Sequence, residues 1–156
     1  MSRQNKIISS AIEQALLSNM PFKHGAILSK GPKIIVKGYN RNRSKFLNVS
    51  YTSIHAEMDV IRQYCDNILH LNVDLRCNTI KIPKINRYIL WVVRINKHNK
   101  LMYSKPCSNC LGLLKKMGVK KIGYSDKNGN IVIENTRNIF TDYLSNAQKK
   151  YNLLVN

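Results

Sequence analysis

Two short motifs carry residue types that are suited to metal chemistry. His55-Ala56-Glu57 places an imidazole two residues before a carboxylate, and Pro106-Cys107-Ser108-Asn109-Cys110 places two thiols three residues apart. Two thiols with this spacing at the start of a helix can point at one cation, and the free N–H groups of the first helical turn favour the thiolate form. Cys107 and Cys110 therefore form a candidate metal-binding pair.

A third ligand is available in the first motif. His55 offers an imidazole, and a set of one histidine and two cysteines leaves one coordination position of Zn²⁺ free for water. A free position is typical of catalytic zinc, which makes water a nucleophile at neutral pH, while a nearby carboxylate can carry the proton. Glu57, two residues after His55, is the candidate for that role.

Other interpretations of these residues remain open. A histidine and a glutamate near the start of a helix also occur on solvated faces, and a C-x-x-C pair also occurs in redox dithiols, although there it follows an early strand. Cys65 and Cys77 are predicted to be buried apolar residues. Cys65 lies about three helical turns from His55, roughly 15 Å away, whereas Cys77 is not excluded as a fourth metal ligand. His24, at the start of the first predicted strand, can also reach a pocket.

Apolar periodicity and turn residues predict the elements that position these motifs. In chain order they are a helix over 6–17, a hairpin of 26–28 and 34–36 around Gly31-Pro32, a helix over 54–68, a strand over 87–95, a short extension at 101–103, a helix over 108–117 capped by Gly118, a hairpin of 121–125 and 130–134 around Asn128-Gly129, and a closing helix over 139–151. The stretch 38–51 has no period and is predicted to be a basic loop. Strands separated by helices predict an α/β fold with a mixed sheet of about five strands, in which 87–95 is central.

Length and composition limit the class of protein. The chain has 156 residues, of which 44% are hydrophobic, so one domain spanning residues 1–156 with a core over about 6–151 is expected. It has no apolar run long enough for a membrane span and no signal-peptide pattern, so we expect a soluble cytoplasmic protein with no membrane partner. The net charge of +18 favours a partner that carries phosphates, a nucleotide or a nucleic acid, unless codon bias accounts for the excess of lysine.

The combination of H-x-E with a later P-C-x-x-C resembles the cytidine and deoxycytidylate deaminase superfamily. The resemblance extends from residue 26 to residue 134 and includes the order of the elements. It implies a three-layer αβα fold, with helices on both faces of a mixed five-stranded sheet. Small members commonly assemble as dimers or tetramers, so a homo-oligomer is also expected. The implied site has one Zn²⁺ per chain, held by His55, Cys107 and Cys110, with Glu57 as the proton shuttle.

The resemblance also suggests residues that bind the substrate. Gly38-Tyr39-Asn40 is similar to the family's G-x-N segment, in which the asparagine holds the sugar, and the backbone of Ala56 lies where the family holds the amide edge of the base. Arg41 and Arg43, next to Asn40, are candidates for binding a 5′-phosphate or a longer backbone.

The implied reaction is hydrolytic deamination of cytosine to uracil with release of ammonia. In the superfamily, a hairpin of the last two strands is typical of enzymes that act on free cytidine, and the connection 126–129 is too short for a crossover helix. The first motif points elsewhere: free cytidine deaminases often have a cysteine where this chain has His55, whereas deoxycytidylate and polynucleotide enzymes have a histidine. We therefore expect a free nucleoside or nucleotide as substrate. The alternatives are a deaminase of cytosine or adenine in single-stranded DNA or RNA, and a catalytically silent zinc-containing module that binds RNA.

Overall fold

The computed structural model describes residues 2–46, 49–70 and 82–141, with only the backbone described at 43–46 and 49–53. Over these ranges the helices are α1 (Arg3–Leu16), α2 (Ala56–Gln63) and α3 (Ser108–Met117). The strands are β1 (Lys23–Lys30), β2 (Lys33–Tyr39), β3 (Arg41–Phe46), β4 (Val49–Ile54), β5 (Ile89–Ile95), β6 (Leu101–Met102), β7 (Lys121–Ser125) and β8 (Ile131–Asn135). A π-helical turn, Tyr64–Ile68, continues α2.

The main sheet is mixed and has the strand order β2-β1-β5-β7-β8, with the short β6 paired to the end of β5. All neighbouring pairs are antiparallel except β5 and β7, which are parallel. The prediction of a central strand near 87–95 is confirmed, because β5 lies between β1 and β7. Since α3 connects two parallel strands, it begins at the carboxyl end of β5 and runs back along the sheet.

Helices cover both faces of this sheet, as the three-layer prediction requires. On one face α1 packs on β1 and β5 through Ile7, Ile8, Ala11, Ile27, Trp91 and Val93. On the other face the core includes Ala26, Leu28, Leu90 and Val92 from the sheet, with Val60 and Ile61 from α2 and Leu111 and Leu114 from α3. Because successive strand residues point to opposite faces, even-numbered positions of β1 and β5 face α2 and α3.

A glycine allows the close packing of α1 on the sheet. A Cβ atom added to Gly25 in β1 would overlap the carbonyl oxygen of Ala11, which belongs to the helix backbone and cannot move aside. Gly123 in β7 lies opposite Trp91 of β5 on the same face, and its missing side chain leaves room for the Trp91 ring. The first contact fixes the distance between α1 and the sheet, and the second lets the ring lie across two neighbouring strands.

Two predicted elements differ from the structure. The loop prediction for 38–51 is wrong, because β3 and β4 form a two-stranded antiparallel sheet with Arg41 opposite Ile54 and Phe46 opposite Val49. Residues 139–141 are not helical, and the rest of the predicted closing helix lies outside the described residues. Within the described ranges, no helix has the length and apolar content of a membrane span.

Candidate active site

The first residues of two helices bring the metal-ligand candidates together. His55 immediately precedes α2, Cys107 immediately precedes α3, and Cys110 lies in the first turn of α3. Nδ1 of His55 lies 3.2 Å from Sγ of Cys110 and 3.8 Å from Sγ of Cys107. The three ligand atoms all lie within 4.8 Å of one another, and no other trio of His, Cys, Asp or Glu in the described ranges is so arranged.

The spacing of these atoms fits tetrahedral zinc. Zinc bonds of about 2.0 Å to nitrogen and 2.3 Å to sulfur place the two ligand atoms about 3.5 Å apart, and the two measured distances lie on either side of that value. Cys65 does not belong to the group; it is buried in the core, and burial raises the pKa of its thiol to about 11. Cys77, the other cysteine considered, lies outside the described residues. The donors therefore suit a three-ligand zinc site.

The ligand residues polarise one another even without an ion. A hydrogen bond from the Cys110 thiol, with a further one from His55, lowers the pKa of Cys107 to about 4. The same Cys107 contact raises the pKa of Cys110 well above its ordinary value, and a hydrogen bond to Cys107 raises the pKa of His55. The cluster thus favours a thiolate at Cys107, and a bound cation would displace the protons that remain.

Glu57 is a buried carboxyl group beside this cluster. It lies in the first turn of α2 and is only 4% exposed. Burial raises its pKa, which the positive charge of His55 partly opposes. A carboxyl group with a raised pKa holds a proton more readily than an ordinary glutamate does, as a group that transfers protons must. Ala56, between the ligand and this carboxyl group, is fully buried.

A buried pair of serines holds the segment that leads to Cys107. Oγ of Ser104 donates to the carbonyl of Val92 in β5 at 2.8 Å and accepts from the amide of Ser125 in β7 at 2.8 Å. The amide of Ser104 donates in turn to the carbonyl of Ser125 at 2.9 Å. The start of α3 is therefore tied to the two parallel strands beneath it.

Asn40 lies between β2 and β3 and is bonded to the beginning of β1. Its Oδ1 accepts from the amide of His24 at 2.8 Å, and its Nδ2 donates to the carbonyl of Phe22 at 2.6 Å. These contacts use one of its two amide protons and one lone pair, so a second donor and a second acceptor site remain on the same side chain. Asn40 is buried, with 6% of its surface exposed.

The two candidate arginines are placed differently from the metal ligands. The guanidinium of Arg41 stacks on the ring of Tyr39, 4.2 Å from its centroid, and its Nη2 lies 3.2 Å from Oδ2 of Asp59. Its charge therefore already has a carboxylate partner. The side chain of Arg43 lies outside the described part of the chain.

Asp59 is a structural residue of the site that the sequence did not reveal. Its fully buried carboxylate accepts from the amide of Tyr39 at 3.1 Å and from the side chains of Arg41, Arg62 and Gln63 at 3.2, 2.8 and 3.2 Å. It thereby ties α2, one turn after His55, to the end of β2. Its spacing to Arg62 is visible in the sequence, but its contact with residue 39 depends on the fold.

His24 belongs to the same side of the sheet as the metal ligands. As an even-numbered residue of β1 it faces the layer of α2 and α3. Burial lowers the pKa of His24 to about 4, and the positive charges of His55 and Arg94 act in the same direction. It is therefore neutral at pH 7. The sequence suggested that it reaches a pocket, and the structure places it close enough to the site for these charges to act on it.

Comparisons with known proteins agree with this geometry. The model of the cytidine and deoxycytidylate deaminase zinc-binding region matches residues 1–126. No curated protein matches the chain. Among solved structures, cytidine deaminase from Burkholderia pseudomallei is similar with a TM-score of 0.60 and 14% identity, over 92% of this chain and 100% of that one. The dCMP deaminase of cyanophage S-TIM5, in complex with dCMP and dUMP, is similar with a TM-score of 0.52 and 20% identity, over 81% and 85%.

The two structural likenesses show a common fold. The family match goes further, because it covers most of the 156 residues and includes both motifs whose side chains converge. This chain therefore belongs to the cytidine and deoxycytidylate deaminase family.

Proposed function

We propose that this protein is a zinc-dependent hydrolytic deaminase that converts the cytosine of a free nucleoside or nucleotide to uracil with release of ammonia. The observation that carries the proposal is the convergence of His55, Cys107 and Cys110 next to the buried carboxyl group of Glu57. Three ligands leave one zinc position free, and a carboxyl group beside it is what hydrolytic catalysis needs in addition.

Glu57 performs the proton transfers in the proposed reaction. Zinc, when bound, would lower the pKa of water to about 7 and so supply the nucleophile at neutral pH. Water adds at C4 of the ring, and Glu57 carries one of its protons to N3 and the other to the amino group, which leaves as ammonia. The raised pKa of Glu57 supports this role, because its carboxyl group must accept and release a proton in each turnover.

Two further residues are proposed to hold the substrate. Asn40 retains one amide proton and one acceptor site, which suits a sugar hydroxyl group, and its bonds to Phe22 and His24 fix its orientation. The backbone of Ala56 is proposed to hold the amide edge of the base. Arg41 and Arg43 stay predictions for phosphate, although the contact of Arg41 with Asp59 argues against a free role for its charge.

A deaminase of single-stranded nucleic acid is the main rival, favoured by the net charge of +18. The antiparallel pairing of β7 with β8 supports the free substrate instead, since in this superfamily polynucleotide enzymes have a helix between these strands. Assembly into a homo-oligomer and a cytoplasmic location stay predictions of the same proposal.

The substrate is tested by measuring ammonia release from the zinc-loaded protein. The panel contains cytidine, deoxycytidine, their 5′-monophosphates and a cytosine-containing oligonucleotide, and each product is identified by chromatography. We expect turnover of a free nucleoside or nucleotide. Turnover of the oligonucleotide alone would favour the rival, and no turnover of any compound by protein with a full complement of zinc would favour a silent module.

A further inference from the structure

Arg94 lies on the face of the sheet that carries the candidate site. It follows Leu90 and Val92 at alternate positions of β5, and both of these belong to the core between the sheet and helices α2 and α3. It is near the carboxyl end of β5, where α3 begins, and it pairs with His24 in β1 and Met102 in β6. Its side chain therefore points to the layer of the metal ligands, at the end of the sheet where they lie.

The guanidinium of Arg94 has no anionic partner in the described part of the chain. Its Nε is buried without a hydrogen-bond acceptor, and its guanidinium carbon lies 4.6 Å from the ring centroid of Phe22. Arg41 and Arg62 also have a buried Nε without an acceptor, but each of them bonds the Asp59 carboxylate through Nη2. A buried donor without an acceptor costs free energy, and a bound anion is one way to supply the missing acceptor.

Arg94 is linked to the residue proposed to hold the sugar. The segment Phe22–His24 contacts both: its backbone bonds the side chain of Asn40, while the ring of Phe22 lies under the guanidinium of Arg94. The charge of Arg94 also acts on His24, which responds in turn to His55 and Cys107. Arg94, Asn40 and the metal ligands therefore belong to one continuous wall.

We propose that Arg94 binds the 5′-phosphate of the substrate, so that the enzyme prefers a nucleoside monophosphate to a free nucleoside. This inference rests on the proposed function, with the base at the metal cluster and the sugar at Asn40. The 5′ substituent then extends away from the metal toward the rim, where Arg94 offers unused N–H groups. A planar guanidinium can bind two phosphate oxygens at once, which gives both affinity and selectivity.

Two variants and one control test the inference kinetically. In Arg94→Met we expect kcat/KM for deoxycytidine 5′-monophosphate to fall by about 10- to 100-fold, the loss typical of a hydrogen-bonded charge, while kcat/KM for deoxycytidine changes by less than about twofold. Arg94→Lys should recover part of the loss, because it restores the charge without the planar fork. Arg87→Met is the control, because it removes the same charge at the opposite end of β5. Arg87 lies roughly 20 Å from Arg94 by the strand rise. This variant should change kcat/KM for neither deoxycytidine nor its 5′-monophosphate.

An equilibrium measurement separates this inference from the proposed function. Calorimetric titration of zinc-loaded Glu57→Gln with deoxycytidine and its 5′-monophosphate should show tighter binding of the monophosphate, and adding Arg94→Met should remove the difference. If the wild-type enzyme deaminates none of the compounds, the proposed function fails, yet this titration still decides the role of Arg94. Circular dichroism establishes that each variant folds, and Arg94→Lys carries the test if Arg94→Met does not.

Four results would overturn the inference. The first is an equal loss for nucleoside and monophosphate in Arg94→Met, which would indicate a general effect on the site. The second is a preference for the monophosphate that persists without Arg94, and the third is a wild-type enzyme that does not discriminate between the two. A dependence on Arg94 confined to the oligonucleotide would also overturn it, and would assign the contact to a polynucleotide backbone.

Discussion

Cys107 and His55 are separated by 52 positions in the chain, yet each stands immediately before a helix, and Sγ of Cys107 lies 3.8 Å from Nδ1 of His55. The N-terminal ends of two helices therefore meet at one point. Both ends carry unpaired N–H groups and a partial positive charge, which stabilise thiolate and hydroxide. A metal bound there would also join α2 to α3, so its effect on stability should be measurable.

Removal of a ligand should release zinc and lower stability. Cys107→Ala is expected to bring the zinc content from one per chain to near zero. In the wild-type protein, free zinc at a hundred times the Kd of the site should raise the unfolding free energy by about 3 kcal/mol, and the variant should lose this gain. Cys65→Ala is the control, because Cys65 is buried outside the metal group and should keep full zinc at a cost of about 1 kcal/mol. Zinc retained by Cys107→Ala would exclude this site.

Glu57→Gln should separate metal binding from turnover. The amide has nearly the same shape but cannot carry protons, so we expect an unchanged zinc content and a fall in kcat of about 10²- to 10⁴-fold. Glu13→Gln, an exposed position on α1, makes the same chemical change and should leave kcat unaltered. Near-normal deamination by the metal-replete Glu57→Gln protein would show that the proposed role is wrong.

Asp59→Asn should destabilise the protein much more than Asp66→Asn. The carboxylate of Asp59 is fully buried and accepts from two arginines and a backbone amide, so its loss should cost about 2–3 kcal/mol in denaturant unfolding. Asp66 is 40% exposed and lies 3.7 Å from Arg62, and its loss should cost less than about 0.5 kcal/mol. Similar costs for the two variants would contradict the buried network.

His24 should make stability fall in acid. Burial lowers its pKa to about 4 from an ordinary 6.5, so between these values the unfolded chain binds a proton that the folded protein does not. The contribution of His24 is therefore complete above pH 6.5 and decreases as the pH falls toward 4, by at most about 1.4 kcal/mol per pH unit. Unfolding free energies measured from pH 4.5 to 7.5 should depend less on pH in His24→Gln; an identical dependence would refute the assignment.

Two glycines should respond to alanine with opposite signs. Gly25→Ala places a methyl group against the backbone of α1 and should cost at least about 2 kcal/mol. Gly112→Ala meets no atom within 4 Å and lies inside α3, where alanine is the better helix former, so it should gain about 0.5–1 kcal/mol. Thermal unfolding of the two variants measures both effects, and a stable Gly25→Ala protein would contradict the close packing of α1.

Local patterns in the sequence were sufficient to predict most of the sheet and the three side chains that converge at the candidate metal site. The hairpin at Asn128-Gly129 and the cap at Gly118, with a φ of 96°, are determined by a few neighbouring residues. The candidate ligands stand out in the sequence because each motif occupies only a few positions. Their convergence follows from the placement of α2 and α3 on one face of the sheet.

Features that depend on distant contacts were not predictable in this way. The strands β3 and β4 contain Arg41-Asn42-Arg43-Ser44-Lys45-Phe46 and Val49-Ser50-Tyr51-Thr52-Ser53-Ile54, which have no clear alternation of polar and apolar residues. Periodicity does not reveal strands whose sequence lacks such an alternation. Asp59 and Arg94 have ordinary surface residue types, and only the fold makes one a buried acceptor and the other a cation with no carboxylate beside it among the described residues.

The single tryptophan of the chain reports on the layer opposite to the metal ligands. Trp91 is 3% exposed, faces α1, donates from Nε1 to Oγ of Ser29 at 2.8 Å and covers Gly123. Its intrinsic fluorescence therefore follows the contact of α1 with the sheet, whereas the candidate metal ligands lie on the other side of β5. Tryptophan emission and metal content are therefore independent signals. If the emission stays blue-shifted after a chelator has removed the metal, α1 is still packed on the sheet.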